Sequence, residues 1–301
     1  MPALEAFETV VTGLDHPEGI AVGPDGSLFA GGEAGQLYRI GGGGAFEEIA
    51  STGGFIYGVA VAGSGAVFAC DFGNAAVMRV STAGEVSTYS NGTADRPMRV
   101  PNFAAFDDGG NLYVTDSAEW GDDDGLVYRI APGGATEIWT EATSRFPNGC
   151  CLTADGGALL VIESRGRVVV RVPIRDDGSA GPPEPVVDLS GSQPDGIALA
   201  EDGTMFVGCY RPDRVYRIPP GGPAEVFAED PDGVVLIRGA RWRARTNRAT
   251  PIQAGDPVKV VSVEGLVLEV EPPEGGAEDY RDRARKRRAR SDPLSDHNPS
   301  E

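Results

Sequence analysis

Lysine is missing from the first 258 residues of this 301-residue chain, and histidine occurs only twice, as His16 and His297. With so few imidazoles, a Ser-His-Asp triad or a histidine-dyad hydrolase has little to work with. Cysteine is scarce as well. Cys70, Cys150, Cys151 and Cys209 show no C-x-x-C spacing and two of them are adjacent in an apolar run, so they read as small core residues rather than as a disulfide framework or a zinc site. No apolar run reaches eighteen residues, and the N-terminus MPALEAFETV has no basic n-region. Those absences predict no membrane span and a cytoplasmic location.

Turn formers are plentiful. Forty-three glycines and 23 prolines are spread along the chain rather than clustered, which predicts many turns between short strands and an all-β fold. The net charge of -19 is distributed unevenly: residues 1–235 hold 13 Lys+Arg against 34 Asp+Glu, whereas the last 66 hold 13 against 11. A break of that kind marks a change of module, and nucleic acid is not an expected partner of the acidic part.

The acidic part repeats itself. DHPEGIAVGPDG, RFPNGCCLTADG and SQPDGIALAEDG share one phrase, and the residue before its central glycine falls at Glu18, Asn148 and Asp195, with Tyr57 and Asn102 in the same register. The five positions are spaced by 39, 45, 46 and 47 residues. After each comes a short apolar run, a turn, a second apolar run, then LYRI, VMRV, VYRI, VVRV or VYRI, and a fourth short segment. Four short strands in a repeat of roughly 40–45 residues predict a β-propeller. The variable residue then precedes the innermost strand of every blade and faces the axis, where oxygen donors from different blades can enclose a hard cation. Asp25, Asp155 and Asp202 read as turn residues, and Arg39, Arg79, Arg129, Arg171 and Arg217 as outer-strand or inter-blade residues. DSAEWGDDDG reads as a solvated loop at the rim of the pocket, and IGGGGAF lacks the lysine of a phosphate loop.

HPEGIAVGPDG, VPNFAAFDDGGNLYVTD, RFPNGCCLTADG and QPDGIALAEDGTMFVGCY resemble the family of SMP-30, gluconolactonase and luciferin-regenerating enzyme, over about residues 4–231. The resemblance implies a six-bladed propeller that hydrolyses lactones at an axial divalent cation: Ca2+, or Zn2+, Mn2+ or Mg2+. Carried over residue by residue, it implies Glu18, Asn148 and Asp195 as metal ligands and Asn102 as a substrate contact. Asp195, a carboxylate beside the metal, is also the expected general base. Arg99 and Glu119 are further expected substrate contacts, although Arg99 stands three residues before Asn102, where the family commonly has its arginine one or two before. The implied partner is a small lactone or ester.

Five blades are recognisable and the sixth is missing or replaced. DGVVLIRGARWRARTNRATPIQAGDPVKVVSVEGLVLEVEP resembles instead the small five-stranded OB-like barrel that ends NfeD-type proteins. The expected organisation is therefore a propeller over 1–231, a small barrel over 232–273 and a disordered charged tail over 274–301. FETVVTG is the expected closing strand, and loss of blade six predicts open edges through which the protein could self-associate. Two other functions fit the same residues: a non-catalytic propeller that binds a ligand or protein partner, and a metal-dependent phosphotriesterase.

Overall fold

A computed structural model describes residues 7–210, 212–229, 233–246, 255–264, 267–271 and 273. The chain divides into two compact units, Met1–Glu229 and Asp230–Glu301. Every strand described in the first unit belongs to one of five antiparallel four-stranded meanders. They are β1–β4 (Ile20–Val22, Leu28–Gly31, Gln36–Ile40, Phe46–Ser51) and β5–β8 (Ile56–Val61, Val67–Asp71, Ala76–Val80, Val86–Ser90). The third and fourth are β9–β12 (Pro101–Phe106, Leu112–Asp116, Leu126–Ile130, Thr136–Thr140) and β13–β16 (Pro147–Leu152, Ala158–Glu163, Val168–Pro173, Glu184–Asp188). The fifth is β17–β20 (Pro194–Leu199, Met205–Tyr210, Asp213–Ile218, Glu225–Glu229).

Alternation with a period of two sends successive residues of each strand to opposite faces, so an inner sheet can feed two cores at once. Phe29, Leu37, Ile56 and Met78 fill the space between the first and second sheets. Phe68, Val77, Val114 and Tyr128 fill the next, Tyr113, Trp139, Cys150 and Val161 the third, and Leu160, Ile162, Ile197 and Val207 the fourth. Tyr113 and Val114, adjacent in β10, thus serve different cores. Among the described residues no such cluster joins the fifth sheet to the first, and on β1 the side chains of Ile20 and Val22 are 58% and 67% exposed. The first strands of consecutive sheets lie side by side. The arrangement is propeller-like, with the start of each first strand at a common centre.

The segment FETVVTG, expected to close the ring, is not a strand. Phe7 instead packs edge-on against Phe227 of β20, 6.2 Å between ring centroids. The repeated arginines read as outer-strand residues do lie in the third strands. Arg39, Arg129, Arg171 and Arg217 stand in register opposite Glu47, Glu137, Glu184 and Glu225 of the fourth strands, while Arg79 faces Ser87.

The second unit holds β21 (Gly233–Ile237), β22 (Ala240–Thr246), β23 (Lys259–Glu264) and β24 (Val267–Glu271), in the order β21-β22-β24-β23 with β22 and β24 parallel. Ala244, Leu268 and Val270 form its small core. Four strands are described where the resemblance implies a five-stranded barrel; residues 247–254, between β22 and β23, and the basic tail 274–301 lie outside the described residues. No helix among the described residues is long and apolar enough to cross a membrane.

Candidate functional site

Proline or isoleucine opens each of four first strands, as Ile56, Pro101, Pro147 and Pro194, and immediately afterwards the pairing to the second strand slips. The residues skipped by the ladder are Tyr57 with Gly58, Asn102, Asn148 with Gly149, and Asp195. A bulge of this kind frees a residue from the alternation of the strand and re-aims its side chain. A glycine follows Glu18, Tyr57, Asn148 and Asp195, whereas Phe103 follows Asn102, and three of these glycines let neighbouring first strands approach. A Cβ on Gly19 would meet the carbonyl oxygen of Tyr57 at 2.5 Å, one on Gly58 that of Asn102 at 2.6 Å, and one on Gly149 that of Asp195 at 2.7 Å. Gly196, in the fifth sheet, has no heavy atom of the described residues within 4 Å of the same position.

Side chains from all five sheets therefore converge on one cavity of about 280 Å3. Glu18, Asn102, Asn148 and Asp195 line it, with Tyr57, Phe103 and Tyr210 as aromatic wall, and among the described residues no Lys, Arg or His is in its lining. Asn102 and Asn148 are 8% and 5% exposed; Asp195 is half-buried and Glu18 exposed. Asn148 Nδ2 donates to Asp195 Oδ1 at 2.6 Å and to Ser164 Oγ at 3.1 Å. Asn102 Nδ2 donates to Ser117 Oγ at 2.9 Å. Tyr57 is held by Phe55 (4.9 Å between centroids, edge-on) and Phe72 (5.6 Å). Cys209 also lines the cavity, and burial pushes its thiol up to about 12, which disfavours the free thiolate.

Arg99 and Glu119 are not among the lining residues. Arg99 donates to Asp124 and lies 3.7 Å from Asp122. The acidic loop between β10 and β11 is thus tied down rather than simply solvated: Arg165 reaches Asp123 at 2.6 Å, Arg96 reaches the Asp124 carbonyl at 2.6 Å, and Trp120 packs edge-on against Phe146 at 4.7 Å. Below this loop the buried Asp116 carboxylate accepts N–H bonds from Arg99 (2.7 Å), Val100 (2.9 Å) and Ala118 (3.2 Å). Burial nevertheless raises its pKa above the ordinary value. Asp71 and Glu163 accept N–H bonds from Phe55 and Arg145 in the sheets on either side. These carboxylates brace the entries to β5, β9 and β13.

Tyr57 was visible in the repeat register, but an aromatic among oxygen donors carries no chemical signal of its own. Ser117 and Ser164 had no sequence signal, standing 15 and 16 residues beyond their asparagines. His16 lies outside the cavity, 3.3 Å from Asp15. Among the described residues there is no cluster of three or more His, Cys, Asp or Glu side chains that could hold a metal. Besides the tyrosines Tyr57 and Tyr210, the described lining residues with oxygen-bearing side chains are two carboxylates, Glu18 and Asp195, and two carboxamides, Asn102 and Asn148.

The family model described as SMP-30/Gluconolactonase/LRE-like region matches residues 33–226, so the chain belongs to that family. A second model, described as NfeD-like C-terminal, partner-binding domain, matches residues 220–272, beginning earlier than the motif boundary at 232. A third, strictosidine synthase-like, N-terminal, matches residues 2–40. Among curated proteins, Protein STRICTOSIDINE SYNTHASE-LIKE 3 of Arabidopsis thaliana is 32% identical over 151 residues, 45% of this chain and 38% of that protein. Among solved structures, a gluconolactonase from Xanthomonas campestris superposes with a TM-score of 0.66 at 18% identity, covering 75% of this chain and 80% of that one. Regucalcin, a calcium-binding protein from Agrobacterium tumefaciens, gives 0.60 at 19% identity over 73% and 76%. At these identities the superpositions establish the fold alone.

Proposed function

We propose that the first unit hydrolyses a neutral lactone, such as a sugar lactone or a related ester, with one divalent cation held by Glu18, Asn148 and Asp195. The observation that carries this reading is the convergence, from separate repeats, of two carboxylates and two carboxamides on a cavity with no cationic side chain among its described lining residues. Such a lining suits a hard cation of the Ca2+, Mn2+, Mg2+ or Zn2+ kind, and membership of the lactonase-containing family supports it. The cation, when bound, would supply Lewis-acid polarisation of the scissile carbonyl.

The rest falls to the chain. Asp195 takes a proton from the attacking water, and its half-buried carboxylate is already within hydrogen-bond reach of its neighbour Asn148. Asn102 orients a hydroxyl of the substrate. Tyr57 and Phe103 form an apolar wall that keeps bulk water from the reacting ester. With Arg99 held by Asp122 and Asp124, no cationic side chain among the described lining residues is available for a substrate carboxylate or phosphate. Neutral aldonolactones are therefore the expected substrates, and their carboxylated counterparts poor ones.

A screen of lactones with two variants tests this assignment. Asp195→Asn should lower kcat by about 10²–10⁴-fold, the usual worth of a positioned acid or base. Asn102→Ala should mainly raise KM, because a positioning contact is largely uniform binding. An Asp195→Asn protein as active as the parent places the base elsewhere. The uncovered side of Gly196 favours a second reading, a non-catalytic propeller that binds a small ligand or a protein partner. Cation and lactone binding without turnover, by a folded parent protein, would select it.

A further inference from the structure

Ser117 and Ser164 have no exposed surface, and neither lines the cavity. Each makes the same two bonds. Ser117 Oγ donates to the Pro147 carbonyl at 2.6 Å and accepts from Asn102 Nδ2 at 2.9 Å. Ser164 Oγ donates to the Pro194 carbonyl at 2.6 Å and accepts from Asn148 Nδ2 at 3.1 Å. A hydroxyl has one proton, and a carbonyl oxygen can only accept. The serine proton is committed to the proline, so only the amide nitrogen can face the serine; a flipped amide would set two lone pairs against each other. Nδ2 is thereby fixed towards the serine. Among the described residues neither Asn102 Oδ1 nor Asn148 Oδ1 has a hydrogen-bond partner, and both residues line the cavity.

The two proline carbonyls belong to the residues immediately before Asn148 and Asp195. The bonds therefore run as one chain through three sheets, from Asn102 through Ser117 to the backbone at Asn148, and from Asn148 through Ser164 to the backbone at Asp195. Thr115 adds a parallel tie, donating to the Asn148 carbonyl at 2.7 Å. We infer that Ser117 and Ser164 are positioning residues that lock the amides of Asn102 and Asn148, so that the cavity meets its ligand with carboxamide oxygens. The inference rests on the cavity being the ligand site proposed above. When Asp195 turns to a ligand and gives up its bond to Asn148, Ser164 is what still holds that amide.

The test uses the full chain with Ser164→Ala, Ser117→Ala and the threonine variants of both. Ca2+ and Mn2+, each alone, are titrated calorimetrically, and KM and kcat are measured on a neutral aldonolactone. Ser164→Ala should weaken cation binding by about 10–100-fold, the usual consequence of removing an outer partner of a ligand, and threonine should restore most of it. Ser117→Ala should keep its cation affinity and raise KM with kcat retained. Alanine variants that are folded and match the parent in both would overturn the inference. Side-chain amide NMR separates this from failure of the functional reading, with Asn102 and Asn148 signals identified through N102D and N148D. Both amides should be protected from exchange in the parent; Asn102 should lose protection in Ser117→Ala, and in Ser164→Ala the Asn148 amide proton that faced the serine should lose it while the one facing Asp195 stays bonded, whether or not any cation or lactone binds. Amides that exchange freely in the parent, or ignore the alanine change, would also overturn it.

Discussion

A Cβ added at Gly149 would stand 2.7 Å from the Asp195 carbonyl oxygen and 2.9 Å from Gly196 Cα, backbone atoms that cannot turn aside. Gly149→Ala should therefore destabilise the protein by about 1–3 kcal/mol, as overpacking does. Gly196→Ala meets open space, and removing a strand glycine should leave stability unchanged or raise it by about 0.5–1 kcal/mol. Denaturant titration of the two variants checks the contrast, and equal losses would mean that the fifth first strand is covered as closely as the fourth. The glycines after Glu18, Tyr57, Asn148 and Asp195 were legible in the sequence as a motif. Their reason was not, because close approach between strands about 40 residues apart leaves no mark in local spacing. Ser164→Ala makes a related prediction: it leaves the Pro194 carbonyl without its 2.6 Å donor, a loss of about 1–3 kcal/mol that the threonine variant should avoid.

At the scale of the element, the Asp-Gly turns between first and second strands carry a pH dependence. The Ser27 backbone N–H and then Arg39 hold Asp25 down to about 2. The Thr153 hydroxyl lowers Asp155, and the Thr204 backbone N–H lowers Asp202. Carboxylates depressed on folding stabilise the protein above their unfolded pKa, about 3.9, and lose that contribution as pH falls through the folded value. The triple Asn variant should melt below the parent near neutral pH, with the gap narrowing from about pH 5 to about pH 2. A gap independent of pH would contradict the assignment. The cross-strand arginines are different: Arg171→Ala and Arg217→Ala, whose carboxylate partners are about 60% exposed, should each change stability by no more than about 0.5–1 kcal/mol. Strand order and turns were legible here, because alternation and Asp-Gly recur with a fixed offset. The bulges that aim Asn102, Asn148 and Asp195 were not, since a ladder slip is a relation between two strands rather than a feature of one.

For the whole molecule, the composition break near residue 235 and the structural division at Glu229–Asp230 concern the same change of module. Calorimetry of the full chain should resolve two transitions. A divalent cation should raise only the first unit's, by roughly 2.7 kcal/mol at a hundredfold excess over Kd. Limited proteolysis between β20 and β21 should release both units. A single transition indifferent to cation and chelator would argue against the two modules and the cation site together. The charge break made the modules legible; the loss of FETVVTG as a strand was not, because its pairing depended on a partner sheet that no local pattern could supply. Cation-dependent lactone hydrolysis at the cavity is decided by the initial rate on a neutral aldonolactone after EDTA treatment and restoration of one cation at a time. The rate should fall to background with EDTA and return with the preferred cation in the parent but not in Asp195→Asn. A rate that survives EDTA, or a cation-loaded parent that opens no lactone in the screen, would contradict it.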